Sequence, residues 1–200
     1  MSALSELCQQ IKVCDRCVLH QGRTNAVPGE GPEDAAIMFV GEAPGFHEDR
    51  QGRPFVGAAG KFLNELLESV NLKREEVHIT NVVKCRPPGN RDPQQDELDA
   101  CEPYLERQIE LIKPRLIVTL GRFSMARYFK GVNISRVHGQ PKRFGDIIVY
   151  PMFHPAAALH QPKYRAMIEE DMRKIPKLLQ EASQIGEVEP PPQAQQLSFF

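Results

Sequence analysis

Residues 36–45 read AIMFVGEAPG. Five apolar residues are followed at once by glycine, a carboxylate and proline. A run this short, apolar on both faces, predicts a buried parallel strand, and the Gly/Pro-rich stretch after it predicts a sharp turn. Three further runs share the pattern: residues 77–83 (VHITNVV), 116–120 (LIVTL) and 147–150 (IIVY). Helical spacings fall between them. Phe62, Leu63, Leu66, Leu67 and Val70 form one set, and Leu98, Cys101, Leu105, Ile109 and Ile112 another. A third helix is expected over 123–129 and a fourth over 164–184, kinked or broken at Pro176. The second helix is expected to open with Asp92 as N-cap, Pro93 in the first position and Gln95 completing a capping-box-like pattern. Alternating strands and helices predict an α/β layered domain. Ligands of such folds sit at the carboxyl ends of the strands.

Composition agrees with one domain. The chain has 200 residues, 41% of them hydrophobic and 26% charged, which suits a globular core. Lys+Arg is 25 and Asp+Glu is 26, so no uniform positive coat exists. From Glu169 onward there are 6 acidic and 3 basic residues, which leaves 20 and 22 in residues 1–168. Any nucleic-acid binding must rest on where the charges are placed. No run approaches the ~18 apolar residues of a membrane span. The opening MSALSELCQQIKVCDRC lacks the pattern of a secretory signal. A cytoplasmic monomer with no membrane contact is expected. Beyond Ile185, GEVEPPPQAQ has no core-forming pattern, so a domain over 1–184 and a flexible tail over 185–200 are expected.

The five cysteines are an odd number in a reducing compartment, which argues against disulfides and for metal ligation by a clustered subset. Cys14 and Cys17 form a C-x2-C pair, Cys85 follows the second strand, and Cys101 lies on the next helix. Two intervening residues let both thiolates of the pair face one centre. Cys8 is left over. Zinc and an iron–sulfur cluster both accept four thiolates, and spacing alone does not separate them.

The strand ends carry a second constellation. Gly41 to Gly45 (GEAPG) follows the first strand, Asn81 ends the second, and Phe153 to Ala157 (FHPAA) follows the fourth. Glu42, Asn81 and His154 would therefore converge on one crevice. Gly41 and Gly45 would let the backbone approach a planar ligand. Phe55, in the Gly-rich GRPFVGAAG before a helix, would offer a stacking platform for a base.

Taken in order, C-x2-C, GEAPG, GRPFVG, TNVVKCRPPGNR and HPAA resemble the family-4 uracil-DNA glycosylases, the iron–sulfur branch of that superfamily. The resemblance runs from about Leu4 to Leu179. It implies a three-layer α/β/α fold with a central four-stranded parallel sheet. It also implies a structural 4Fe–4S cluster held by Cys14, Cys17, Cys85 and Cys101. The activity implied is base excision: deoxyuridine is flipped out of single- or double-stranded DNA and its N-glycosidic bond hydrolysed, leaving an abasic site. By the same resemblance His154 would donate to uracil O2 as negative charge develops, Asn81 would read N3–H and O4, and Phe55 would stack on the base. The backbone of Gly41, Glu42 and Ala43 would line the pocket. Glu48 would crowd uracil C5 against a thymine methyl, and Glu42 would position water and offset the positive charge on the sugar. Leu159, in AAALHQPKYR, would enter the minor groove as a wedge. Lys142, Arg143, Lys163 and Arg165 would contact phosphates. A related branch that bonds covalently to DNA carries a His-containing basic loop and Gln at the place of Ala43. Here residues 86–100, RPPGNRDPQQDELDA, contain no His, so ordinary turnover is expected.

Gln196 to Phe200 (QLSFF) resembles the short peptide with which bacterial repair proteins dock on the sliding clamp. The alternative for the whole chain is an iron–sulfur DNA-binding or redox-sensing module without glycosylase activity.

Overall fold

The computed structural model describes residues 2–181. The peptide at Gln196 to Phe200 therefore lies outside the described residues. Five strands, β1 (Ile37–Gly41), β2 (His78–Asn81), β3 (Leu116–Leu120), β4 (Lys142–Phe144) and β5 (Ile147–Met152), form one sheet. Their order is β2-β1-β3-β5-β4. β2, β1, β3 and β5 run parallel, as expected, while β4 adds an antiparallel edge. The helices are α1 (Ala3–Lys12), α2 (Phe46–Gln51), α3 (Ala58–Ser69), α4 (Gln95–Ile112), α5 (Arg122–Ala126), α6 (Ile134–Val137), α7 (Pro155–His160) and α8 (Pro162–Gln180).

Strand alternation divides the core between the two faces of the sheet. Ile37, Phe39, Leu116 and Val118 pack toward Leu63, Leu66, Ile168 and Met172 of α3 and α8. Met38, Val40 and Ile117 pack toward Leu4, Leu7 and Ile11 of α1 and toward Leu105 and Ile112 of α4. Because both faces are covered, the parallel strands read as continuous apolar runs. The result is a three-layer α/β/α fold. No described helix is long and apolar enough to cross a membrane.

Two local expectations need correction. α4 starts at Gln95 with Gln94 as its N-cap, later than expected. Glu97 decides this. It is fully buried, it takes the two N–H groups of Arg91 at 2.6 and 2.9 Å, and it accepts the Gln94 N–H at 2.8 Å. Asp92 pairs instead with Arg122. α8 runs through Pro176 to Gln180. Ile175 and Leu178 on either side are buried against the sheet, and burying each such side chain contributes about 1.5–3 kcal/mol, enough to offset a proline's loss of one helical bond.

β1 has β2 on one side and β3 on the other, so the chain leaves β1 in one direction and returns in the opposite one. A crevice opens at such a switch point, outside the carboxyl ends of the strands.

Candidate active site and cysteine centre

That crevice, of about 590 Å³, is lined by Glu42, Ala43, Glu48, Phe55, Asn81 and His154; Gly41 is not in the lining itself but packs against Asn81 and Phe55. The fold thus brings Glu42, Asn81 and His154, from three strand ends, to one crevice. Gly41 and Asn81 are register partners on β1 and β2. A Cβ on Gly41 would lie 2.4 Å from Asn81 Oδ1 and 2.6 Å from Phe55 Cζ. Glycine at 41 is what lets the amide and the ring share one floor. Asn81 is 1% exposed, and its Oδ1 has no hydrogen-bond partner. A buried polar atom left unpaired costs about 1–3 kcal/mol, so this carbonyl is poised for a ligand's N–H.

His154 is the N-cap of α7, and its Nδ1 accepts the Ala156 N–H at 3.1 Å. That bond places the imidazole proton on Nε2. Burial pushes the pKa of His154 down to about 4, against a smaller opposing pull from Glu48. The ring is therefore a neutral donor at neutral pH. It stacks on Phe55 with centroids 5.5 Å apart and planes at 25°.

Phe55 has φ of +51°, an uncommon conformation for a bulky residue. Contacts on every side hold it there. The Arg74 guanidinium donates to Phe55 O at 3.2 Å and to Pro54 O at 2.5 Å, while its Nε donates to Glu30 at 2.7 Å. Glu48 Oε1 accepts the Val56 and Gly57 N–H groups, both at 2.8 Å. Gly60 allows α3 to press on the loop, since a Cβ there would lie 1.9 Å from Phe55 O. Glu48 thus anchors the Phe55 loop as well as lining the crevice. Sequence reasoning missed Arg74 and Glu30. Lying 19 and 25 residues from Phe55, they belong to no local motif. Arg91 and Asn90 of the RPPGNR loop also line the crevice, and their place after β2 was the available signal.

Burial raises the Glu42 carboxyl above its ordinary range, Asp92 adds to this, and Arg122 opposes it. The residues expected at DNA phosphates lie outside the crevice. Lys142 and Arg143 are on edge strand β4, with the Lys142 ammonium 5.5 Å from the Phe129 ring centroid. Lys163 lies 5.0 Å from the Tyr164 ring. Arg165 is tied to Glu65 and Glu169, both at 2.9 Å. Leu159 on α7 is 50% exposed, so it does not pack beneath α8.

The cysteines gather in a second cavity, reached by the chain just after β2 at Lys84 and Cys85. Cys14, Cys17, Cys85 and Cys101 line one small enclosed cavity together with Arg23, Lys84 and Tyr104. Arg23 donates to Cys85 Sγ at 3.1 Å and also ties down Cys14 O at 2.7 Å. The Lys84 backbone N–H donates to Cys101 Sγ at 3.3 Å. Burial raises the thiols of Cys17 and Cys85 and pushes Cys101 up to about 11. Four convergent sulfurs with cationic and N–H donors around them suit an anionic thiolate-ligated centre. Among the described residues no three His, Cys, Asp or Glu side chains close on a single-ion site. Cys8, on α1, is half-buried and outside the cavity lining.

A family model described as the Uracil DNA glycosylase superfamily matches residues 28–178. The chain is 51% identical to a type-4 uracil-DNA glycosylase of Sulfurisphaera tokodaii over 89% of its length and 86% of the relative's. It is 50% identical to one from Saccharolobus solfataricus over 90% and 88%. It is 49% identical to one from Archaeoglobus fulgidus over 89% and 94%. A crevice with an unpaired buried amide, a neutral histidine donor and an adjoining four-cysteine cavity thus accompanies close relationship along most of the sequence, and the chain belongs to the uracil-DNA glycosylase superfamily, within its type-4 family.

Proposed function

We propose that this protein is a uracil-DNA glycosylase of base excision repair, releasing uracil by hydrolysis of its N-glycosidic bond. The observation that carries the reading is the unpaired, buried Oδ1 of Asn81 beside the His154 donor. Uracil offers N3–H to Oδ1 and O4 to the amide NH2. Cytosine presents the opposite pattern and would leave buried groups unpaired, a strong basis for rejection.

As the bond from C1′ to N1 breaks, positive charge grows on the sugar and negative charge on the base. His154 Nε2–H donates to uracil O2. A neutral imidazole suffices: burial keeps the ring from taking a second proton at neutral pH, and the Ala156 N–H on Nδ1 leaves the single ring proton on Nε2. Glu42, at the end of β1, orients the attacking water and faces the sugar's positive charge. Phe55 stacks on the base, while Glu48 fixes the loop behind it and crowds C5.

A 4Fe–4S cluster on Cys14, Cys17, Cys85 and Cys101 would cross-link the loop after α1, the segment after β2 and helix α4. When bound it supplies structural bracing. Leu159, exposed on α7, acts as the wedge in the minor groove. Lys142, Arg143 and Lys163 contact phosphates, and Arg165 would do so only by leaving its two glutamates. Residues 196–200 dock on a bacterial sliding clamp.

Purified holoprotein is assayed on single- and double-stranded oligonucleotides containing one deoxyuridine, followed by hot alkali. Strand cleavage at uracil and none at cytosine is expected. An iron-replete protein that binds these strands without cleaving them would instead be a binding or sensing module. Removing residues 196–200 is expected to abolish clamp pull-down and leave excision on short oligonucleotides intact.

A further inference from the structure

Lys84 is among the most deeply buried charged side chains of the described residues, at 1% exposed. Its Nζ donates to Thr80 Oγ1 at 2.6 Å, Asn81 O at 2.8 Å and Gln108 Oε1 at 2.6 Å. All three acceptors are uncharged, and among the described residues Lys84 forms no ion pair with a carboxylate. The acceptors are themselves fixed. Thr80 Oγ1 and Gln108 Nε2 both donate to Pro28 O at 2.8 Å, and Gln108 belongs to α4, the helix that carries Cys101. A buried ammonium without a counter-charge is strongly disfavoured. Among the described residues the groups whose negative charge favours this ammonium are the sulfurs of Cys101, in the wall of the cysteine cavity, and of Cys8, outside it, while Arg127 opposes them. Lys84 lines the cysteine cavity, and its own N–H meets Cys101 Sγ.

We propose that Lys84 is a positioning residue joining the cysteine centre to the base-reading amide: its ammonium holds the Asn81 backbone and supplies positive charge on the Cys101 side of the centre, as Arg23 does at Cys85. The inference rests on the cofactor and substrate readings above. It assigns the cysteine centre a role beyond bracing, because the charge of the thiolates keeps buried the group that holds Asn81. A cluster with four thiolates is net negative, and nearby cationic and N–H groups raise its potential. The same side chain therefore affects two quantities measured in different ways.

The test compares wild-type, K84M and K84Q holoproteins. Methionine keeps length and apolar bulk but removes both the charge and the donors. K84M is expected to show a cluster reduction potential below wild type in film voltammetry without DNA. Its inhibition constant for free uracil should be raised on the order of tenfold. Glutamine restores an N–H donor without charge, so K84Q should keep the lowered potential and recover most of the affinity for uracil. A K84M protein with either the wild-type potential or the wild-type inhibition constant overturns the proposal. If K84M does not hold a cluster, K84Q decides: a potential equal to wild type overturns the proposal, and a lowered one supports it. Failure of the underlying readings is separate and visible in the wild-type protein alone, as colourless, iron-free material or as uracil left in DNA; the proposal then falls with them.

Discussion

Substituting alanine for Gly41 tests the shared floor of the crevice with a single methyl group. Gly41 is not among the positive-φ residues, so alanine fits the backbone and the effect is steric. The new Cβ would lie 2.4 Å from Asn81 Oδ1, and 2.6 and 2.8 Å from two carbons of the Phe55 ring, where ordinary contact begins at 3.4 Å. The amide or the methyl must move by about 1 Å and the ring by slightly less, a misplacement that can reduce a positioned reaction about 10²-fold. Neither neighbour yields freely. Asn81 sits in β2, paired with β1, and Phe55 is clamped by Arg74 and Glu48. Overpacking of this kind also destabilises by about 1–3 kcal/mol, which lowers Tm by several degrees. Single-turnover release of uracil from a single-stranded oligonucleotide measures the loss, and the inhibition constant of free uracil shows whether it arises in base binding. A G41A protein with kcat/KM within threefold of wild type would refute the claim that Gly41, Asn81 and Phe55 form one base-binding surface.

Other expectations follow from the same geometry. H154A should lower the single-turnover rate on the order of 10²-fold, and the wild-type rate should show no ionisation of His154 near neutrality, because burial pushes its pKa down to about 4. The acid limb should instead follow Glu42, whose raised carboxyl protonates at a higher pH than an ordinary one; in E42Q that limb disappears from a much slower rate. Stability should fall as pH drops from about 6.5 toward 4. In that window the unfolded chain binds protons that His78 and His154, both lowered to about 4 by burial, refuse in the native state. Thermal melts across this range measure the slope, and H154Q should reduce it. R74A should release the Phe55 loop and weaken inhibition by free uracil, with R74K restoring only part because lysine cannot reach both carbonyls in fork geometry.

The parallel strands and the residues at their ends were legible because each is a local pattern. An apolar run buried on both faces needs no partner to be recognised, and its carboxyl end lies toward the ligand side in any such sheet. Edge strand β4 was not legible. Its KRF is short and half-buried, and it pairs only because β5 lies beside it. The start of α4 was misplaced for a related reason, since the burial of Glu97 against Arg91 outweighed the capping preference of Asp92.

The amino-acid sequence alone determines the α/β class, the four sulfurs available for one centre, and the presence of Glu42, Asn81 and His154 at three strand ends, since these depend on residue type and short spacing. Only the tertiary structure decides that Gly41 faces Asn81, that Arg74 holds Phe55 in a left-handed conformation, and that Lys84 lies buried between the amide and the thiols. Those outcomes depend on strand register and on contacts between segments distant in the chain, which no local pattern of side chains encodes.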